Sequence, residues 1–331
     1  MVTAFAYSGK SLKKIKGEEI KEYLKKKQNS VWLPLTEPSN EVFVLLKDVF
    51  KIHPTTIEDM FSEQTRVKYE EFEDYKVVIF NGIKEIKKSS VEIYNISWVI
   101  GENFIITVHS EKEETIKELL KNERKIESLL ARGEGSLAHY LLDKEVDKYL
   151  QIKLEANEEL KKLEKEFLSS QNREILTRIY SKELIYLELR QLSEAVTDIC
   201  SSLIKLSGDS QSDLLRPYFM DVYDHAIKTT QGYESMLKRI DGMTNMYATI
   251  ANMKTNEAMR SLTVITAIMM PLTVITGFYG MNIKLPIQEH PFASAAVSGG
   301  MFFIIVLMMI ISKKMGWISP KKNKDILDKF S

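Results

Sequence analysis

Two changes of rhythm divide the hydrophobic pattern of this chain into three stretches. In the first, up to about residue 112, short apolar runs rich in β-branched residues at 30–35, 76–80, 91–100 and 104–108 predict strands. Residues 45–50 and 55–61 predict short helices between them. Ser39 or Asn40 suits the cap of the first, and Thr55 that of the second. Glu58, three residues after Thr55, completes the pattern of a capping box.

From about Glu113 the period lengthens from two to three and four. Tyr149, Ile152, Ala156, Leu160, Leu163 and Phe167 form one such stripe, and Ile185, Leu189, Leu192, Val196, Ile199 and Leu203 another. Stripes of that period predict amphipathic helices packed on one another. Residues 206–213 (LSGDSQSD) read as a turn, and Pro217 suits the first turn of a new helix. No proline follows until Pro271, so residues 218–279 can form one helix, roughly 90 Å long at 1.5 Å per residue. A helix of that length needs neighbours, from its own chain or from copies of it.

The second change comes near residue 261. Residues 262–278 are almost wholly apolar or Thr, and 292–311 likewise. About 20 residues of helix cross a hydrocarbon core of about 30 Å, so both predict membrane spans. The stretches 261–283 and 291–312 hold no Asp, Glu, Lys or Arg. Lys254 and Arg260 precede the first span, and Lys313, Lys314, Lys321, Lys322 and Lys324 follow the second. The connecting loop carries only Lys284 and Glu289. The positive-inside rule then sets both termini in the cytoplasm of a multi-pass protein of the cell membrane, with the loop outside. Trp317, Phe278 and Tyr279 suit interfacial anchors.

Charge and composition sharpen this division. The 331 residues hold 46 basic and 46 acidic side chains, a balance without the basic excess of a nucleic-acid partner. Cys200 is the single cysteine, so no intrachain disulfide forms. The N-terminal residues lack an apolar run long enough for a signal peptide, which leaves the first 260 residues in the cytoplasm. The expected domains are a cytoplasmic region 1–205 (an α/β part, 1–112, and a helical part, 113–205), a stalk helix 214–260, and a first span 261–281. An outer loop 282–290, a second span 291–312 and a basic tail 313–331 complete it. The fold class is α+β, with two C-terminal membrane helices.

Candidate chemistry lies on the first span. Asn256, Met259, Thr263, Thr266, Met270, Thr273 and Gly277 recur at three and four and share one face, with Leu262 beside them. A polar stripe within a span suits a pore lining, while ordinary close packing of helices uses the same residue types. In the second span Ser294, Ala295, Ala296, Ser298, Gly299 and Gly300 are expected to pack tightly on the first. No nucleophile–base–acid set points to an enzyme. Gly133-Glu134-Gly135-Ser136 lacks the lysine of a nucleotide-binding loop. The histidines at 53, 109, 139, 225 and 290 have no metal-ligand spacing.

Tyr279-Gly280-Met281-Asn282 ends the first span. A Gly-Met-Asn tripeptide at this place resembles the signature of the CorA family of magnesium channels. Lys254-Thr255-Asn256-Glu257 just inside the membrane, Met269-Met270-Pro271-Leu272-Thr273 in mid-span, Phe219-Met220-Asp221-Val222-Tyr223-Asp224-His225 early in the long helix and His53-Pro54 with Glu58-Asp59 extend the resemblance over nearly the whole chain. The resemblance implies a funnel-shaped homopentamer in the bilayer. It also implies a filter at Gly280, Met281 and Asn282, and Mg2+ as both cargo and regulator, with Co2+ and Ni2+ as further ions.

The chemistry is consistent with that. Magnesium dehydrates reluctantly, so neutral oxygens that bind it through its waters suit passage better than a site that strips it. Inward movement of a dication across about 100 mV is favourable by roughly 4.6 kcal/mol, so no nucleotide is needed. The resemblance maps two regulatory carboxylates onto Asp59 and Asp221, with Glu58 and Asp143 as weaker candidates. Loss of the ion would leave facing carboxylates that repel, opening a constriction at Met259, Leu262 and Met270. Read without the family, Asp59 and Asp221 are solvated surface acids. The outer loop departs from the usual family wording, and Lys284 opposes the attraction Glu289 would exert. The remaining alternatives are a transporter of cobalt, nickel or zinc and a non-conducting sensor or scaffold.

Overall fold

The structure is a computed structural model and describes residues 2–62, 67–110, 113–170, 172–205, 215–282 and 291–317. The chain divides into two compact units, Met1–Thr244 and Asn245–Ser331.

The first unit is built on a seven-stranded sheet. Its strands are β1 (Thr3–Tyr7), β2 (Leu12–Lys16), β3 (Ser30–Leu35), β4 (Lys68–Glu71), β5 (Tyr75–Ile86), β6 (Val91–Gly101) and β7 (Phe104–His109). Their order across the sheet is β2-β1-β3-β7-β6-β5-β4, and only the β3–β7 pairing is parallel. The central strands are apolar on both faces because both faces are covered. Val31, Trp32 and Leu33 are all fully buried, as are Val77–Phe80. One face carries Leu33, Val77, Ile79, Val99 and Ile106 into a core with Val42, Leu46, Ile57 and Met60 of the helices between β3 and β4. The other carries Trp32, Phe80, Trp98 and Ile105. There Phe80 meets Trp98 edge to face, and the Trp32 indole N–H donates to Thr107 Oγ1 at 3.1 Å.

α1 (Glu18–Leu24) follows β2, and α2 (Asn40–Val44) runs on into a wider turn, Leu45–Val49. Ser39 caps α2, its hydroxyl accepting from Val42 N–H. α3 (Pro54–Phe61) starts two residues earlier than the expected Thr55 cap allows. His53 is the cap, its ring accepting from Thr55 N–H. The cause is Pro54, which has no N–H to satisfy and a φ already set for a first helical position. The residue before a proline is driven to extended backbone, and His53 has ψ 139°. The expected Thr55–Glu58 box therefore does not form.

α4 (Glu114–Leu120), α5 (Glu123–Leu130), α6 (Glu134–Ser169) and α7 (Arg173–Lys205) follow the sheet. The two stripes expected from the sequence are buried, except that Ile152 is half-buried. Gly82 of β5 faces Tyr94 of β6, and a Cβ there would lie 2.4 Å from the tyrosine ring. Its absence lets Tyr94 lie across the strand. The tyrosine O–H reaches Glu145 of α6 at 3.3 Å. Lys148 donates to Glu145 at 2.6 Å and to Glu113 at 2.9 Å, so a largely buried polar cluster joins sheet and helix.

α8 (Arg216–Tyr279) is a single helix of 64 residues with Pro271 inside it. In the first unit it buries Phe219, Val222, Ala226, Thr229, Tyr233, Met236, Ile240 and Met243, again at three and four. Arg239 clamps Glu164 of α6 with two bonds of 2.7 and 2.6 Å and reaches Asn157 at 2.8 Å.

The second unit holds the rest of α8 and α9 (Ala293–Lys314). Both helices are long and apolar enough to cross a membrane. They run antiparallel, since the Arg260 guanidinium donates to Gly316 O at 3.3 Å. Val264, Ala267, Ile268, Pro271, Leu272 and Ile275 form the covered side of α8, and Ala293, Val297, Met301, Ile304, Ile305, Met308 and Ser312 that of α9. The small residues expected there from the sequence are not at this seam. Ser294, Ala295, Ala296, Ser298, Gly299 and Gly300 are exposed, and a Cβ on either glycine would meet nothing within 4 Å. The expectation that they pack on the first span is corrected. Ala293, Val297 and Met301 occupy the side of the helix turned to α8.

Candidate functional site

Every residue of the expected pore face is exposed in the single chain: Asn256, Met259, Leu262, Thr263, Thr266, Met270, Thr273 and Gly277. They lie on the side of α8 away from α9. The threonines have a common geometry. Thr263 donates its hydroxyl proton to Met259 O, Thr266 to Leu262 O and Thr273 to Met269 O, each at 2.9 Å. With the proton spent on the helix backbone, each oxygen presents only lone pairs outward. Such a wall accepts hydrogen bonds, and the water around a cation offers its protons.

At the end of α8 the chain turns tightly. Gly280 N–H donates to Thr276 O at 2.9 Å and Met281 N–H to Phe278 O at 3.3 Å. A Cβ on Gly280 would lie 2.9 Å from the Thr276 carbonyl oxygen, so the turn needs glycine. Asn282 follows, exposed. The C-terminal end of a helix carries about half a negative charge, so the tripeptide stands where a cation is favoured. Residues 283–290, with Lys284, Glu289 and His290, lie outside the described residues, as do the expected turn at 206–213 and Lys321, Lys322 and Lys324.

The acidic candidates occupy three elements of the first unit. Asp59 is half-buried on α3 and Glu58 beside it is exposed. Asp221 is exposed near the start of α8, and Asp143 is half-buried on α6. Among the described residues no three His, Cys, Asp or Glu side chains of one chain gather into a metal site. Two neighbours escaped the sequence. His139 lies edge-on to Tyr218 and Phe219, and burial lowers its pKa against the opposing fields of Asp143 and Asp221. Lys68 of β4 donates to Asp59 Oδ2 at 2.6 Å and lies 3.0 Å from Glu70. Asp59 therefore does not stand as a bare charge, which weakens the expected repulsion between facing carboxylates. Neither neighbour had a sequence signal, because each pairing joins separate elements.

A large mixed α/β unit and two helices long and apolar enough to cross a membrane, the first followed by Gly-Met-Asn, define the class of a membrane protein with two C-terminal spans. The CorA-like Mg2+ transporter protein family model matches residues 27–314, and the chain belongs to that family. The cobalt/magnesium transport protein CorA of Thermotoga maritima is 26% identical over 94% of this chain and 91% of its own. The protein of the same name from Methanocaldococcus jannaschii is 26% identical over 87% and 91%. The complete structure of the CorA magnesium transporter from M. jannaschii shares the fold, with a TM-score of 0.76 at 24% identity over 96% of this chain and 99% of that one. The cytoplasmic domain of ZntB from Vibrio parahaemolyticus shares it more loosely, with a TM-score of 0.57 at 10% identity over 76% of this chain and 98% of that one.

Proposed function

We propose that this chain forms a magnesium channel in which Asn282 filters the hydrated ion and the threonine face of α8 lines its path. The observation that carries this is the joint placement of an exposed wall of hydrogen-bond acceptors and a Gly-Met-Asn turn at its end. Supporting it are the family and the names of the relatives. Copies of the chain are needed, because one helix has a face but encloses nothing. The resemblance implies five. Their outer ends bring five Asn282 amides and Gly280 carbonyls around one axis, which bind the ion through its water shell. Met259, Leu262 and Met270 then supply apolar rings that close the path by excluding water.

Both termini are assigned to the cytoplasm, in keeping with the basic flanks and the acid-free spans. The membrane potential drives entry. Asp59 and Asp221 are assigned to a regulatory Mg2+ between neighbouring copies, with Glu58 and Asp143 as secondary ligands. Hard oxygen ligands suit that ion, and a site shared between chains agrees with the scattered acids of one chain. Bound ion favours the closed state by holding neighbouring copies together.

A second reading keeps the path and changes the ion, because two relatives carry cobalt beside magnesium in their names. The test is uptake into proteoliposomes under an inside-negative potential with internal magnesium removed, read with a magnesium-sensitive dye. Protein-dependent uptake that Asn282→Ala abolishes supports the proposal. Transport of cobalt, nickel or zinc without magnesium supports the second reading, and absence of any flux sinks both.

A further inference from the structure

Lys68 belongs to β4, an edge strand of the sheet, and Asp59 to α3. The lysine ammonium sits 2.6 Å from Asp59 and 3.0 Å from Glu70, with only 23% of the side chain exposed. The two carboxylates are 40% and 41% exposed. A carboxylate oxygen so occupied cannot at the same time ligate a divalent ion at full strength.

We propose that Lys68 is an internal competitor for the regulatory cation: it holds Asp59 when the ion is absent and must yield that carboxylate, keeping Glu70, when the ion binds. This rests on the assignment of Asp59 as a regulatory ligand. It gives the chain a way to set its own threshold. The free energy of ion binding is reduced by whatever the lysine–aspartate pair contributes, so the magnesium level that closes the channel rises. Glu70 limits that rise by offering the displaced ammonium a second partner. Lys68 and Glu70 therefore act in opposite directions on one quantity.

The experiment measures magnesium uptake by the full-length oligomer in proteoliposomes against internal magnesium, and takes the concentration that halves the flux. Lys68→Gln lowers that concentration by roughly two- to five-fold, the range for a partly exposed ion pair. Lys68→Arg keeps the charge and stays near the parent value. Glu70→Gln removes the alternative partner and raises the concentration. Asp59→Asn weakens inhibition strongly, and Lys68→Gln then adds nothing in that background. Flux without internal magnesium reports whether each variant folds and assembles. If Asp59→Asn loses inhibition while Lys68→Gln leaves the threshold unchanged or raises it, the competitor role is overturned and the regulatory site stands. Inhibition unchanged in Asp59→Asn overturns the site, and the competitor role with it.

Discussion

The same helix lives two different lives. Up to Met243, α8 buries a residue every third or fourth position against its own chain. Beyond Asn245 its apolar side chains are largely uncovered: Met259, Leu262, Met270 and Val274 are each more than 60% exposed, and so are Phe302 and Phe303 of α9. In water, burial of a large apolar side chain contributes about 1.5–3 kcal/mol. In lipid that drive disappears, and packing, polar contacts and neighbouring copies decide where a side chain goes. The first region is specified by the chain that carries it. The second leaves most of its apolar side chains uncovered by its own chain.

That contrast can be broken or sharpened by substitution. The largest expected effect is functional: Asn282→Ala removes protein-dependent magnesium uptake in proteoliposomes while leaving the thermal midpoint of the soluble unit in place. Next is Phe80→Ala, which opens a void beside Trp98 and destabilises by about 3–5 kcal/mol, read from denaturant unfolding followed by tryptophan fluorescence. Gly82→Ala drives a methyl into the Tyr94 ring and destabilises by about 1–3 kcal/mol in the same assay.

A smaller effect is pH-dependent. Burial pushes the Glu145 carboxyl up to about 7, with Lys148 opposing. A folded pKa raised above 4.5 contributes stability that is full below pH 4.5 and is lost as pH rises through about 7. Glu134, pushed up to about 6 by burial, has the same sign. Glu145→Gln therefore flattens the fall in thermal midpoint between about pH 5 and pH 8. Last, Phe302→Ala on α9 changes the stability of the soluble unit by less than about 0.5 kcal/mol, because nothing in that core depends on it. A large loss there would erase the contrast.

The sequence carried the buried strands and the spans well, and the edges poorly. β3 lies where its apolar run predicts, because a strand covered on both faces must be apolar throughout. β2 (LKKIK) and β4 (KYEE) were not expected. Each is an edge strand with mostly exposed or half-exposed side chains, so backbone pairing fixes it and hydrophobicity says little. β1 was missed although it is buried, since TAFAY is short and only weakly β-branched. The Gly-Met-Asn tripeptide was legible as a motif, and the threonine face as a period. The ion pair of Asp59 was not, because it depends on how a helix and an edge strand meet. The seam of α9 was misassigned because small residues mark where close approach is allowed, without saying which neighbour approaches.

The threonines of α8 also bear on how such a helix reaches its place. A polar side chain entering hydrocarbon with an unmatched donor is costly. Here the protons of Thr263, Thr266 and Thr273 are bound to carbonyls four residues back within the same helix. The segment therefore brings its own partners and can partition into lipid as a solitary span. Its insertion therefore does not have to wait for other helices to supply those partners.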